Sequence, residues 1–179
     1  MLKKVSSEAE LNYIRDLYEA SFPESEKKPL ALILEKQEQG LAEILMITDP
    51  EGGALGLAMM AICGDLALLD YLAVDPKCRG TGVGGGVLAA LQERYGRDRI
   101  VVEIERTTGE GAQAENIEDR IRRKNFYLRN GMVPVEFYVD LMGVEMEVLT
   151  FGRKLGFEEY HSIYRKVFPG KIANEIRLV

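Results

Sequence analysis

Histidine and cysteine are nearly missing from this chain of 179 residues, with one of the first and two of the second. The lone His161 excludes metal sites built from several imidazoles. It would also have to be the base of any Ser-His or Cys-His triad. Cys63 and Cys78 cannot form a disulfide framework, and no Cys or His pair has zinc-ligand spacing. Long apolar runs are absent as well, since no stretch reaches the ~20 residues that span a bilayer. Lys3 and Lys4 are not followed by an apolar segment, so no secretory leader is expected and the predicted location is cytoplasmic. A basic excess is lacking too. Lys plus Arg is 23 against 29 for Asp plus Glu, a net charge of −6. That balance opposes a general nucleic-acid binder but allows a local cationic pocket for one anionic ligand. Neither nucleic acid nor a membrane is expected as a partner.

What is present is ordinary for a soluble protein, at 46 % apolar and 29 % charged residues. The length suits one domain that buries about 70 % of its unfolded surface. Ser7-Glu8-Ala9-Glu10 reads as a capping box, and Leu11, Ile14, Leu17 and Tyr18 follow at helical spacing. Pro29 opens a second helix that Gly40 ends. Segments 41–48 and 54–63 read as a strand hairpin, and 66–74 as an apolar strand with one acid, Asp70. A helix with Val83, Val87, Leu91 and Tyr95 on one face comes next, then a strand over 99–105. Ile117, Ile121 and Leu128 mark a helix ended by Asn130-Gly131. A last hairpin turns at Met142-Gly143, and Tyr160, Ile163, Tyr164 and Val167 mark one more amphipathic helix. Hairpins pair antiparallel, and the strands either side of the 83–95 helix are expected to lie parallel through a crossover. The pattern predicts an α/β fold of the α+β kind, with a mixed, mostly antiparallel sheet flanked by helices.

The chemistry concentrates at Arg79-Gly80-Thr81-Gly82-Val83-Gly84-Gly85-Gly86. A strand enters a glycine-rich loop, and a helix starts inside it. The first turn of a helix presents amides without internal partners, and its dipole adds partial positive charge. Glycines admit φ > 0 and let backbone approach an anion. Lys77 and Arg79 add full charges, so the segment reads as a phosphate cradle. Gly80, Gly82 and Gly85 also satisfy G-x-G-x-x-G, with Glu103 or Glu105 placed as a ribose-binding acid. Against a dinucleotide fold, residues 75–79 separate strand from glycine, and too few residues follow for its remaining parallel strands. No Gly-Lys-Ser/Thr follows, so a kinase-type phosphate loop fails.

The run from Leu72 to Gly84 resembles the central motif of the GNAT acetyltransferases, an apolar strand ending Val-x-Pro, then Arg/Gln-x-x-Gly-x-Gly/Ala, then a helix. Asn125-Phe126-Tyr127-Leu128-Arg129-Asn130-Gly131-Met132 resembles the family's Tyr-x-x-x-Gly-Phe segment, with Met132 for Phe. The helix before Tyr127 departs from the family in its Arg120, Arg122, Arg123 and Lys124. The resemblance implies a single N-acetyltransferase domain over 1–179, with a core of about 7–151 and a helical extension over 152–179. It implies direct acetyl transfer from acetyl-CoA to a primary amine of a small molecule or peptide. It assigns the diphosphate to the backbone of Arg79, Gly80, Thr81, Gly82, Val83 and Gly84, and the pantetheine arm to Leu72, Ala73 and Val74, with Asn125 or Asn116 as a further contact. It implies a backbone amide near Leu72 as oxyanion donor and Tyr127 as the acid for the leaving thiolate.

For the base, Glu103 and Glu105 share one face of a strand. Carboxylates on a half-buried face are costly unless paired or functional. Glu103 is the first candidate, with Glu105 and Asp70 behind it; salt bridges to nearby arginines are the plain alternative. Arg120 to Arg123 could meet a coenzyme phosphate, although a solvated basic face is the simpler reading. Cys78 is not expected to act as a nucleophile, and His161 is expected at the surface. The 160–167 stripe is expected to dock on the core, with a homodimer interface as the alternative. Glu24, Glu26, Glu110 and Glu115 lie on loops that would suit a cationic acceptor. Three readings stand: an N-acetyltransferase, a non-catalytic acyl-CoA-binding module, and a dinucleotide-dependent oxidoreductase.

Overall fold

The computed structural model describes residues 1–24 and 26–179, leaving aside the side chain of Glu110. The chain divides into two compact units, Met1–Ile62 with Leu69–Tyr95, and Cys63–Leu68 with Gly96–Val179.

The first unit carries β1 (Leu2–Lys4), α1 (Glu8–Ser21), α2 (Leu30–Glu38), β2 (Ala42–Thr48), β3 (Ala54–Cys63) as far as Ile62, β4 (Leu66–Val74) from Leu69, and α3 (Val83–Tyr95). Its strands run in the order β1-β2-β3-β4, and β1–β2 and β2–β3 are antiparallel. α1 starts where the capping box requires. The Ser7 hydroxyl accepts from the Glu10 amide at 3.3 Å, and the Glu10 carboxylate accepts from the Ser7 amide at 3.3 Å. Ile14, Leu17 and Tyr18 of α1 and Ile33 of α2 cluster with Ala42, Ile44, Met46, Leu57, Met59, Tyr71 and Ala73 on one sheet face. Leu45, Ile47, Ala58 and Met60, which alternate with them, are buried too. A sheet apolar on both faces is what helices on both sides produce.

The second unit carries β5 (Ile100–Glu105), α4 (Ile117–Arg129), β6 (Val133–Leu141), β7 (Val144–Thr150), α5 (Phe157–Val167), α6 (Lys171–Asn174) and β8 (Ile176–Leu178). The order is β5-β7-β6-β8, and β5–β7, β6–β7 and β6–β8 are antiparallel. Met142 and Gly143 turn the β6–β7 hairpin with φ of 53° and 91°, the signs that a two-residue loop matched to strand twist requires. The α5 stripe is fully buried at Tyr160, Ile163, Tyr164 and Val167, so it docks on the core as expected.

Three expectations need correction. The 152–179 extension is not purely helical, because β8 pairs with β6 at Val139–Leu141. β1 was likewise not foreseen. Three-residue strands have no periodicity of their own and form only where a partner edge accepts them. α4 ends at Asn130 as its pattern predicts, although Ile121 and Leu128 are 44 % and 38 % exposed and Tyr127 is the residue of α4 that is buried. His161 is half-buried rather than on the surface, with Nε2 2.7 Å from the Ala173 carbonyl and its ring stacked on Phe157.

Candidate functional site

In the first unit, β4 ends at Val74 and Asp75 turns the chain. Its carboxylate accepts from the Lys77 amide at 3.0 Å, and its carbonyl accepts from the Cys78 amide at 2.8 Å. Pro76–Cys78 thereby form one tight turn. Gly80 and Gly82 follow with φ of +77° and +88°. A Cβ at either would meet nothing within 4 Å, so the left-handed backbone, not crowding, calls for glycine. The Thr81 hydroxyl donates to the Cys78 carbonyl at 2.7 Å and closes the loop.

α3 begins at Val83, and its Gly86 amide bonds the Gly82 carbonyl at 3.1 Å. The amides of Gly82, Val83, Gly84 and Gly85 therefore have no acceptor inside the helix. No acid stands in that first turn, and Lys77, Arg79, Gly80, Thr81 and Gly82 are exposed. Arg79 Nε donates to the Val74 carbonyl at 3.1 Å, which pins the guanidinium at the strand end. Open first-turn amides at a helix N-terminus and an anchored arginine fit a phosphate or diphosphate. Leu72 and Val74 are half-buried, and Ala73 points into the apolar cluster.

Asp70 has a partner that its sequence position did not reveal. Lys28 Nζ stands 2.7 Å from its Oδ1, and both side chains are buried. Of the loop acids, Glu24 pairs with Lys27 at 2.7 Å, the Glu26 carbonyl accepts from the Tyr71 hydroxyl at 2.9 Å, and Glu115 is exposed. The Glu110 side chain lies outside the described residues.

In the second unit, the two β5 carboxylates have different surroundings. Glu103 is half-buried and accepts the Tyr164 hydroxyl. Glu105 is buried, 2.8 Å from Arg120, 2.5 Å from Arg123 and 3.3 Å from the Asn116 amide. Glu147 on β7 takes Lys124 at 2.6 Å and the Thr107 amide and hydroxyl at 2.9 and 2.7 Å. The basic run of α4 thus divides. Arg120, Arg123 and Lys124 tether the helix to buried carboxylates, while Arg122 is exposed beside Asp119. This differs from a solvated basic face, and it commits Arg120 and Arg123 to Glu105 rather than to a bound phosphate.

Tyr127 is 6 % exposed. Burial pushes its phenol up to about 12, against a smaller downward pull from the Arg123 charge. Asn125, two residues before it, is exposed. Tyr164 and Lys28 are the residues that sequence reasoning missed as partners. Tyr164 stood in the predicted apolar stripe, and nothing in its spacing signalled that its hydroxyl serves Glu103. Among the described residues, no group of three or more His, Cys, Asp or Glu could hold a metal ion, and no helix is long and apolar enough to cross a membrane.

A model of the acetyltransferase (GNAT) family matches residues 11–117. Among solved structures, a putative GNAT-family acetyltransferase from Bacteroides thetaiotaomicron superposes with a TM-score of 0.74 at 23 % identity, covering 96 % of this chain and 99 % of that one. An aminoglycoside 6′-N-acetyltransferase complexed with coenzyme A gives 0.65 at 15 % identity, covering 87 % and 99 %. A spermidine N-acetyltransferase from Vibrio cholerae, in complex with CoA and spermine, gives 0.60 at 11 % identity, covering 83 % and 92 %. No curated protein sequence matches the chain.

Proposed function

Because the chain belongs to the GNAT acetyltransferase family, whose members use acetyl-CoA, we propose that it transfers the acetyl group directly to a primary amine of a small molecule or peptide. The observation that carries this reading is the turn after β4, where left-handed Gly80 and Gly82 lead into the open amides of α3. In the proposal the backbone of Arg79, Gly80, Thr81, Gly82, Val83 and Gly84 grips the diphosphate of the coenzyme. Leu72, Ala73 and Val74 align its pantetheine arm as an added strand would, with Asn125 as a further contact. Acetyl-CoA supplies the acyl group as an activated thioester.

The chain's own residues then do three things. The Leu72 amide donates to the thioester oxygen as it gains charge. Glu103, oriented by Tyr164, receives the proton that an alkylammonium must lose before its nitrogen can attack. Tyr127, pushed up to about 12, stays protonated near neutral pH and supplies a proton to the departing thiolate. Alignment of amine and thioester by the fixed strand and loop contributes much of the rate.

Thermal-shift titration with CoA and NADH, followed by an amine panel with acetyl-CoA and a free-thiol readout, tests the reading. Stabilisation by CoA and thiol release with an amine are expected. Stabilisation by NADH but not CoA would sink it, and CoA binding without thiol release on any amine would leave a binding module.

A further inference from the structure

α4 is turned inside out relative to an ordinary surface helix, whose apolar stripe faces the core and whose charges face water. Arg120 and Arg123 reach inward to the buried Glu105, and Lys124 to the buried Glu147. Ile121 and Leu128 are 44 % and 38 % exposed, and Ile117 is half-buried. At ~100° per residue these three positions lie within about 40° of one another round the helix. A buried ion pair adds little net stability over an apolar replacement. Holding α4 by charges therefore serves something other than stability. It leaves an apolar stripe outside, which is the mark of an interaction surface.

The charges beside the stripe identify the partner. Glu118 and Arg129 are exposed, and among the described residues neither has an ion-pair partner, unlike Asp119 and Arg122, which pair with each other. They have opposite signs and stand near the two ends of α4, on one flank of the stripe and about 16 Å apart along the axis. An apolar stripe with an anion at one end and a cation at the other is complementary to itself turned end for end.

We propose that α4 is a dimerisation helix, packing antiparallel on the α4 of a second copy of this chain about a two-fold axis. With the axis level with Arg123 and Lys124, Glu118 of each copy faces Arg129 of the other. The same placement sets Leu128 of one copy between Ile117 and Ile121 of its partner, about 3 Å from each along the axis. The two helix dipoles then run in opposite directions, which favours the pairing. Asn125 falls at the crossing, so in the dimer it is withdrawn from the coenzyme. One helix pair covers less than the roughly 800 Å² per partner of a standard interface, so the dimer is weak and reversible. The proposal stands apart from the acetyltransferase reading.

Sedimentation velocity of the unaltered protein at roughly 5 to 500 μM tests it. The mean sedimentation coefficient should climb from that of a monomer toward that of a dimer as concentration rises. A coefficient that stays at the monomer value overturns the proposal, and so does a dimer that Ile121→Asp leaves intact. Charge reversal tests the antiparallel register. Glu118→Arg alone and Arg129→Glu alone should each weaken the dimer roughly tenfold, since each replaces two attractions by two repulsions. The double variant restores both pairs and should recover the dissociation constant of the unaltered protein. These positions are exposed, so thermal unfolding midpoints should stay close to that of the unaltered protein. Single reversals without effect, or a double variant that does not recover, overturn the pairing of Glu118 with Arg129.

Discussion

The hydroxyl of Tyr164 on α5 stands 2.6 Å from one oxygen of the Glu103 carboxylate and 2.9 Å from the other. Tyr164 is fully buried and Glu103 half-buried, so the bond is partly shielded from water and losing one partner is costly. Tyr164→Phe should lower stability by about 1–3 kcal/mol, measured by urea unfolding. With Glu103 as the base, turnover should fall as well while CoA affinity holds. A stability loss with unchanged turnover would leave Glu103 a structural carboxylate.

Glu147 bears on acid stability. Burial pushes its carboxyl up, but bonds from Lys124 and Thr107 outweigh that and hold it below its ordinary value of 4.5. A carboxyl lowered in the folded state contributes stability above its unfolded value and loses that contribution as pH falls through the folded one. Unfolding free energy should therefore decline as pH drops below about 4.5, the unfolded value. Glu147→Gln should flatten that decline and lower stability at pH 7. An unaltered acid limb in denaturant titrations contradicts the assignment.

Tyr127→Phe separates chemistry from binding. The phenol is pushed up to about 12 by burial, so it is a proton donor over the whole working range. The variant should lose roughly 10²–10⁴-fold in kcat, the usual worth of an acid–base group, and keep its CoA affinity by calorimetry. Equal turnover removes Tyr127 from the mechanism. Retained turnover with weakened CoA binding makes it a coenzyme contact instead.

Gly82 and Gly86 make a matched pair. Gly82 has φ of +88°, so Gly82→Ala should cost about 1–2 kcal/mol and weaken CoA binding through the shifted loop. Gly86 is helical, and a Cβ there meets nothing within 4 Å. Gly86→Ala should add roughly 0.5–1 kcal/mol of stability and leave CoA affinity unchanged. Equal effects on CoA from both would contradict the role of the turn.

The parts of the fold that were legible in the sequence are those with local causes. The Ser7–Glu10 capping box, the Met142-Gly143 turn, the glycines at 80 and 82 and the α5 stripe each act within a few residues of chain, and each is where its pattern placed it. What was not legible depends on partners far apart in the chain. Asp70 is matched by Lys28 across 42 positions, and Glu103 by Tyr164 across 61. The exposure of α4 has a related cause. Arg120, Arg123 and Lys124 anchor it to Glu105 and Glu147, so its apolar residues need not face the core and Ile121 is exposed.

The most direct test is to incubate the protein with acetyl-CoA and a panel of alkylamines and to analyse the amines by mass spectrometry. An amine carrying one acetyl group is expected, formed in step with free CoA and lost in Gly82→Pro. Release of CoA without any acetylated amine, or product formed equally well by that variant, would contradict it.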